Sequence, residues 1–217
     1  FVRNISINQK KNLVEKSTGI KNGTILDVGS GTGYFVATMQ KAGWQVTGLE
    51  PNEGARRASL NQDNIRLLPV ANLFQLTVDD FDAITLWHVL EHVHDIRKYL
   101  STFKNLLKEN GKLYVAVPNY TSHDAEVYKE FWAAYDVPRH LYHFAPYTMQ
   151  WLVKDTGLKL ASFKPMWFDS FYVSLLSSKY KRGSTNWLGA MWTALRSNLK
   201  AWGDVKKCSS VIYIISK

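Results

Sequence analysis

Apolar residues form short, nearly continuous runs that alternate with segments in which they recur at helical spacing. The runs have the length and the β-branched and aromatic content of buried strands. They cover residues 24–28, 44–49, 65–70, 81–86, 112–117, 158–163 and 209–216, and residues 65–70 are the weakest of them. The pattern therefore predicts seven strands.

Helical spacing is clearest in three places between these runs. Residues 34–42 end at Gly43, and residues 148–156 end at Gly157. Asp95 is a typical N-cap for a helix that closes at Asn110-Gly111. Apolar strands separated by helices are typical of a parallel sheet that is covered on both faces. We therefore predict an α/β fold.

Two segments interrupt this alternation, residues 120–147 and 166–205. Both are dense in aromatic residues, which commonly complete a core. Both also follow the carboxyl ends of predicted strands, where open α/β sheets bind their ligands. We therefore predict that these lid segments close over an acceptor pocket within one domain, residues 1–217.

Composition narrows the function classes. No apolar run reaches the roughly 18 residues of a membrane span, and the first residues lack the apolar core of a signal peptide. Cys208 is the only cysteine, so a disulfide within the chain and a cysteine zinc cluster are excluded, and a cytoplasmic location is predicted. The net charge is +9, but the basic residues are scattered, which favours a solvated surface over a nucleic-acid groove.

The turn after the first strand carries the strongest chemical signal. The run ILDVGSGTG, residues 25–33, places glycines where a strand passes into a helix, and glycines let the backbone approach a ligand closely. A dinucleotide fingerprint would need a glycine at Tyr34, and the Gly-Lys-Ser/Thr of a phosphate loop is missing. Glu50 ends the second strand about 20 residues later, where an acid reaches ribose hydroxyls in Rossmann-type sites. The combination favours an adenosine-containing ligand without a pyrophosphate.

Taken in order, these motifs resemble class I S-adenosylmethionine-dependent methyltransferases, in particular the type 11, 12 and 23 methyltransferase domains. LDVGSGTG is similar to the family's first motif, GLEP to its second, FDAITLWHVLEHVHD to its fourth-strand motif and LLKENGKLYVAVPN to its fifth. PRHLYHFAPYTMQWLVKDTGL is similar to the segment before the sixth strand of the type 23 group. The resemblance covers residues 25–167. It implies a Rossmann-like three-layer sandwich whose mostly parallel, seven-stranded sheet has an antiparallel last strand, with S-adenosylmethionine as the cofactor.

The resemblance also implies which residues bind the cofactor. The glycine turn would line its methionine and sulfonium part, Glu50 would bind the ribose, and Trp87 and His88 would border it next to the acceptor. The third motif matches poorly, because Asn72 stands near the position where many relatives carry an acid; its amide oxygen can accept a hydrogen bond instead. The predicted cofactor-binding set is Asp27, Gly29, Ser30, Gly31, Gly33, Glu50, Pro51, Asn72, Trp87 and His88.

Methyl transfer is an in-line displacement that needs aligned reactants and exclusion of water. A hydroxyl acceptor must also lose its proton, and histidine suits that task near neutral pH. His140 and His143 lie in the first lid segment and are the predicted bases, although a structural role is at least as common for a single histidine. No metal-ligand spacing is evident, so no metal is predicted.

Type 23 relatives imply a small-molecule acceptor, frequently methylated on oxygen. The Asn/Asp-Pro-Pro-Tyr run of base-amine methyltransferases is replaced here by Trp-His-Val-Leu, residues 87–90. The alternatives are a non-catalytic cofactor-binding module, an RNA methyltransferase and a nucleotide-dependent oxidoreductase. Tyr34 argues against the oxidoreductase, because it stands where the dinucleotide fingerprint needs a glycine. Trp187, Met191, Leu195 and Trp202 also allow an interfacial helix that touches a membrane, which we rank below simple packing over the pocket.

Overall fold

The computed structural model of the chain describes residues 2–217. Its central sheet contains β1 (Thr24–Val28), β2 (Gln45–Leu49), β3 (Phe81–Trp87), β4 (Leu107–Pro118), β5 (Lys159–Pro165) and β6 (Ser210–Ser216). The strands lie in the order β2-β1-β3-β4-β6-β5. Strands β2, β1, β3 and β4 pair in parallel, and β6 pairs antiparallel with both β4 and β5. The predicted mostly parallel sheet with an antiparallel last strand is confirmed.

Helices cover both faces of this sheet. They are α1 (Val2–Thr18), α2 (Tyr34–Lys41), α3 (Glu53–Asp63), α4 (Ile96–Leu106), α5 (His123–Tyr128), α6 (Pro146–Asp155), α7 (Asp169–Arg182) and α8 (Trp187–Gly203). Val14 of α1 and Met39 of α2 belong to the core on one face, whereas Phe103 of α4 and Met149 of α6 belong to the core on the other. The predicted Rossmann-like three-layer sandwich is therefore confirmed.

The predicted third strand at residues 65–70 is wrong, and the sheet has six strands rather than seven. In this run only Leu68 pairs, through an isolated bridge with Leu49. Pro69 follows and has no N–H to donate to a longer ladder, and the chain then turns into a 3₁₀ helix at Val70–Gln75. A single bridge is therefore all that this run adds to the edge of the sheet.

The boundary between α4 and β4 also differs from the expectation. Asp95 does cap α4, because its carboxylate accepts the Lys98 N–H at 3.0 Å. The helix ends at Leu106, however, and β4 begins at once, whereas the sequence pattern placed the strand start at residue 112. The register between β3 and β4 shifts here, and a Cβ at Gly111 would lie only 2.9 Å from the Phe81 carbonyl oxygen. The irregular pairing hides the first part of β4 from a pattern of strict alternation.

The two lid segments fold into helices that pack on one another, with α5 in the first and α7 and α8 in the second. A buried carboxylate, Asp124 of α5, joins them. It accepts hydrogen bonds from Trp132 Nε1 at 2.8 Å, Ser197 Oγ of α8 at 2.7 Å and Ser209 Oγ at 2.7 Å. Because Ser209 directly precedes β6, this network ties both lid segments to the sheet.

Candidate functional site

The turn between β1 and α2 is held against β2 by backbone hydrogen bonds. The N–H groups of Gly29 and Ser30 both donate to the Leu49 carbonyl, at 2.7 and 3.0 Å. Gly29 and Gly31 have φ values of 75° and 55°, which glycine adopts without strain. A Cβ at Gly29 would overlap Val89 Cγ2, whereas a Cβ at Gly31 would meet no heavy atom within 4 Å. Packing therefore requires a glycine at position 29, and Gly31 borders open space.

Glu50 lies directly beside this turn, after β2, and is 7% exposed. One carboxylate oxygen accepts the Gly31 N–H at 2.8 Å and the other accepts the Asn52 N–H at 2.9 Å. Arg56 Nη1 donates to the Glu50 carbonyl at 2.7 Å and fixes the backbone. An ionised carboxylate has about four acceptor positions, so about half of them stay free for a ligand. Glu50 is therefore an oriented acceptor for hydroxyl groups.

A cavity of about 640 Å³ opens in front of the turn, and we call it the glycine-turn cavity. Its volume lies in the range of small-molecule sites. Its lining combines polar side chains, among them Glu50, His88, His92 and Lys98, with apolar ones. The apolar lining residues are Val28, Pro51, Val70, Phe74, Val89, Val93 and Tyr99. A ligand that carries both hydroxyl groups and a flat apolar ring, such as an adenosyl group, matches this lining.

Asp27 stands behind the turn and is 1% exposed. Thr85 Oγ1 donates to its carboxylate at 2.6 Å, and Ser30 Oγ donates to its carbonyl at 2.9 Å. Burial raises the pKa of Asp27 to about 6, although the hydrogen bonds from Thr85 and Ser30 oppose the shift. Near neutral pH the Asp27 carboxylate is thus a poorly solvated negative charge behind the glycine turn.

Of the predicted cofactor-binding residues, Gly29, Glu50, Pro51 and His88 line the cavity, whereas Asp27, Ser30, Gly31, Gly33, Asn72 and Trp87 do not. Trp87 follows Leu86 on β3, and successive strand residues face opposite sides of a sheet. Its ring packs edge-on against Phe35 of α2 with a centroid separation of 5.6 Å, on the face away from the cavity. Asn72 lies in the 3₁₀ turn, whose Val70 and Phe74 line the cavity in its place. Of the remaining set, Gly33 is the N-cap of α2 and Pro51 lines the cavity.

His88 follows β3 with a φ of 59°, a left-handed conformation that is strained for a residue with a side chain. Its Nε2 lies 2.8 Å from Asp169 Oδ2 at the start of α7, and its Nδ1 lies 3.3 Å from Glu91 Oε1. Burial alone would lower the pKa of His88, but the charges and hydrogen bonds of Asp169 and Glu91 outweigh it and raise the pKa to about 10. His88 is therefore a cation that donates from both ring nitrogens, and not a free base.

A second cavity of about 280 Å³ lies beneath the lid segments, and we call it the lid cavity. Its walls combine carboxylates and imidazoles with two tyrosines of α7, Tyr172 and Tyr180. The polar residues of its wall are His88, Glu91, Asp136, Arg139, His140, Asp169 and Ser210. His88 lies on the walls of both cavities. The two cavities are therefore neighbours separated by the end of β3.

The two predicted bases occupy different environments. His140 lines the lid cavity, and its Nδ1 lies 2.8 Å from the Ala134 carbonyl, so that nitrogen carries the proton. Burial lowers the pKa of His140, which leaves the imidazole neutral at pH 7. His143 is exposed, and its Nε2 lies 2.9 Å from the Tyr135 carbonyl. His143 does not line either of the two cavities described.

Sequence reasoning did not assign site roles to Asp169 or Glu91. Asp169 begins the second lid helix and is far from His88 along the chain, so only the tertiary fold brings them together. Glu91 lies with His92 and His140 in a cluster whose potential ligand atoms are all within 4.8 Å of one another. Glu91 and His92 are sequence neighbours but His140 belongs to the lid, so a search for local ligand spacing could not find this cluster.

The family model of the type 23 methyltransferase domain matches residues 8–162. The chain belongs to this family. This assignment confirms the class I methyltransferase resemblance, and methyltransferases of this family use S-adenosylmethionine as the cofactor.

Curated relatives include the ubiquinone biosynthesis O-methyltransferases of Glaesserella parasuis and Actinobacillus pleuropneumoniae. The first is 31% identical over 120 residues, 50% of this chain and 50% of the relative, and the second is 34% identical over 119 residues, 49% and 50%. The chain thus matches about half the length of these relatives.

Solved structures share the fold. Phosphoethanolamine N-methyltransferase 2 of Haemonchus contortus, solved in complex with S-adenosyl-L-methionine, superposes with a TM-score of 0.65 at 18% identity, covering 97% of this chain and 52% of that one. A SAM-dependent methyltransferase of Archaeoglobus fulgidus gives a TM-score of 0.64 at 17% identity, covering 99% and 94%. At these identities the likeness shows the fold alone. Among residues 2–217, no helix combines the length and the apolar character needed to cross a bilayer.

Proposed function

We propose that this methyltransferase transfers the methyl group of S-adenosylmethionine to a hydroxyl oxygen of a small acceptor bound in the lid cavity. The observation that carries the proposal is the position of His88, whose side chain lies on the walls of both the glycine-turn cavity and the lid cavity. When bound, S-adenosylmethionine supplies a methyl group activated by its sulfonium sulfur. An acceptor in the neighbouring cavity would then need no long movement to reach it.

The residues around the glycine-turn cavity account for donor binding. Glu50 accepts from the ribose hydroxyls through the lone pairs that Gly31 and Asn52 leave free. Phe74 and Tyr99 cover the adenine with apolar surface. The buried charge of Asp27 attracts the cationic methionine end. These residues bind and orient the donor, and alignment is the main contribution that an enzyme makes to this displacement.

The lid cavity sets the acceptor class. A volume of about 280 Å³ suits a single ring with small substituents, and the tyrosines of α7 offer flat surfaces for it. The names of the curated relatives denote O-methyltransferases, which supports oxygen as the methylated atom. The positive charge of His88 at the border of the cavities would favour the ionised form of an acceptor oxygen. We therefore propose a phenol or catechol as the acceptor class.

Methylation of a hydroxyl requires loss of its proton, and His140 is the predicted base whose position fits that role. It lines the lid cavity and is neutral at pH 7 because burial lowers its pKa. We do not retain His143 in the proposal, because its Nε2 lies against the Tyr135 carbonyl outside the lid cavity. The predicted cytoplasmic location stays a prediction.

A labelled-methyl assay tests the proposal. Purified protein is incubated with S-[methyl-³H]adenosylmethionine and, separately, with phenols, catechols, carboxylates, amines and RNA. Label in a phenol or catechol, located on oxygen by mass spectrometry, is the expected result. Label only in RNA would instead support the RNA methyltransferase alternative. Tight donor binding without transfer to any acceptor would support the non-catalytic module.

We also propose that the exposed face of α8 contacts an anionic membrane surface. Leu188, Trp192, Leu199 and Trp202 are 86%, 60%, 59% and 83% exposed, and with Leu195 they form one stripe at spacings of three and four residues. A cavity of about 680 Å³ continues the stripe onto Phe163 and Trp167. Cations border this face, because Lys164 lines the same cavity and the charged groups of Arg196 and Lys206 lie over Trp192 and Phe163. An apolar stripe bordered by cations is typical of helices that lie in a membrane interface.

Vesicle co-sedimentation tests this contact. The chain should sediment with vesicles that contain phosphatidylglycerol and should bind less well to pure phosphatidylcholine vesicles. Trp202→Glu should weaken the binding, whereas Trp151→Glu, at a tryptophan of α6 that is 59% exposed, serves as the matched control. Equal binding of both variants would remove α8 from this role.

A further inference from the structure

We infer that Glu91, His92 and His140 hold a divalent transition-metal ion at the partition between the two cavities. One carboxylate oxygen of Glu91 and one ring nitrogen from each histidine all lie within 4.8 Å of one another. Around a tetrahedral ion with bonds of about 2.1 Å, ligand atoms are about 3.4 Å apart. Movements of the ligand atoms by about 1.5 Å or less would therefore complete the three bonds.

The buried carboxylate of Glu91 is an independent sign of a missing ligand. Glu91 is 1% exposed, and its Oε1 lies 3.3 Å from His88 Nδ1. Its Oε2 is buried and has no hydrogen-bond partner among the residues that the structure describes. A buried carboxylate oxygen without a partner is costly, and buried charges are normally paired or bound to a metal. A cation beside Oε2 removes this cost.

Both histidines are oriented as metal ligands usually are. Nδ1 of His92 lies 2.9 Å from the Arg139 carbonyl, and Nδ1 of His140 lies 2.8 Å from the Ala134 carbonyl. A carbonyl only accepts, so each Nδ1 carries the proton and each Nε2 keeps a lone pair. Hydrogen bonds of this kind fix the tautomer of most metal-ligating histidines. The two rings meet edge to face with centroids 4.7 Å apart.

The backbone around the cluster is built to keep these groups together. The Glu91 carbonyl accepts the Leu141 N–H at 2.8 Å, and Tyr142 Oη donates to the His94 carbonyl at 3.0 Å. These bonds join the turn after β3 to the two lid residues that directly follow His140. Backbone hydrogen bonds thus hold together two segments that are distant in sequence. A chance surface contact between two histidines would not need such bonds.

The ligand types indicate the class of metal. Two imidazoles and one carboxylate are a known set for catalytic Zn²⁺, which keeps a fourth position open. The same set suits Co²⁺ and other imidazole-binding ions and is a poor match for Mg²⁺ or Ca²⁺, which prefer oxygen ligands. The open position has access to both cavities, because Glu91 and His140 line the lid cavity and His92 lines the glycine-turn cavity.

This inference takes its catalytic role from the proposed O-methylation, although metal binding itself does not depend on that proposal. A divalent cation lowers the pKa of a hydroxyl that it contacts. The hydroxyl proton then passes to solvent, the acceptor oxygen forms a bond to the methyl carbon, and the carbon–sulfur bond breaks with its electron pair going to sulfur. His140 would then promote loss of the proton as a ligand and would not take up the proton itself.

The test uses the whole chain, freed of metal with a chelator and titrated with Co²⁺. One Co²⁺ per chain with a visible ligand-field spectrum is expected. Glu91→Gln and His140→Gln should each weaken Co²⁺ binding by about 100-fold or more, since even outer-shell partners of metal sites are worth about 10- to 100-fold. His123→Gln is the matched control, because His123 contacts Glu126 and Lys200 away from the cluster.

Two further measurements separate this inference from the proposed function. S-adenosylmethionine affinity, measured by calorimetry on the metal-free protein, should change less than about twofold. Methyl transfer should fall by about 100-fold without metal, as for loss of a catalytic base, and should return with Zn²⁺ or Co²⁺. Absence of Co²⁺ binding by a folded chain that still binds the donor overturns the inference alone. Full transfer by metal-free protein overturns its catalytic role and leaves the proposed function intact.

Discussion

Replacement of Asp27 by asparagine should stabilise the ligand-free protein at neutral pH. The carboxylate is 1% exposed, and burial raises its pKa from 3.8 to about 6. The folded state therefore binds the proton more tightly than the unfolded state does. Asp27 contributes this stability fully below pH 3.8 and loses it as the pH rises through about 6. Above that window the ionised side chain is a net cost to folding.

The size of the effect follows from the shift. About two pKa units correspond to about 3 kcal/mol, because each unit is worth about 1.4 kcal/mol. Asparagine keeps an oxygen that can accept from Thr85 Oγ1, which now donates to the Asp27 carboxylate at 2.6 Å. It adds an amide N–H₂ that must find an acceptor, which offsets part of the gain. We expect Asp27→Asn to raise the free energy of unfolding by about 1–3 kcal/mol at pH 7.5 and to have little effect near pH 4.

Urea denaturation of both proteins at several pH values between 4 and 8 measures this difference. Asp82→Asn is the matched control, for which we expect a change in the free energy of unfolding of opposite sign. Burial would raise the pKa of Asp82, but hydrogen bonds from Thr24 and the charge of Lys108 outweigh it and lower the pKa. Asp82→Asn should therefore destabilise the protein at neutral pH. An Asp27→Asn effect that is destabilising, or that does not change with pH, would show that the burial argument is wrong.

The same substitution should weaken donor binding. S-adenosylmethionine carries positive charge at the end that we place near Asp27, so loss of the carboxylate removes an attraction. Calorimetry should show a Kd raised by about tenfold, or about 1.4 kcal/mol. A more stable protein that binds its donor less tightly is the expected behaviour of a charge retained for function at a cost to folding.

Four other substitutions test the site and its support. Glu50→Gln should raise the donor Kd by about 10- to 100-fold, as expected for hydrogen bonds to a charged group, and an unchanged Kd in calorimetry would remove Glu50 from ribose binding. Gly29→Ala should lower the free energy of unfolding by about 2 kcal/mol, because its Cβ would overlap Val89, whereas Gly31→Ala should cost less stability and weaken donor binding more. The reverse order in denaturation would contradict this assignment. Asp124→Ala should cost about 3–5 kcal/mol, since it leaves three buried donors without their acceptor, and a loss below about 1 kcal/mol would mean that water replaces the carboxylate.

The features that the sequence predicts well are those encoded in one short stretch. The strand, glycine turn and helix around residues 24–42 follow from local periodicity, and the structure has them with the expected ends. Glu50 comes beside the turn because β1 and β2 are parallel neighbours, and parallel strands end at the same edge. The two wrong strand predictions also have local causes. Pro69 limits the predicted third strand to one bridge, and the irregular register near Gly111 hides the start of β4.

The residues that the sequence does not predict come together only through the tertiary fold. Asp169 pairs with His88, and His140 meets Glu91 and His92, across segments that no periodicity links. Trp87 is the opposite case, a residue that was predicted to border the cofactor but lies away from the cavity. Its place beside His88 in the motif suggested a shared role, but alternation along β3 turns it to the other face of the sheet. Motif similarity thus locates the end of a strand and does not decide which of two adjacent side chains faces the ligand.

The pair between His88 and Asp169 also connects the two halves of the site. His88 belongs to a strand of the central sheet, whereas Asp169 is the first residue of the helix that supplies Tyr172 and Tyr180 to the lid cavity. A change that lengthens this contact would move the acceptor wall relative to the donor cavity without touching either ligand. Because in-line transfer tolerates little misalignment, such a change should lower the transfer rate more than it weakens the binding of donor or acceptor. The position of the lid helix is therefore part of the chemistry, although its sequence carries no catalytic motif.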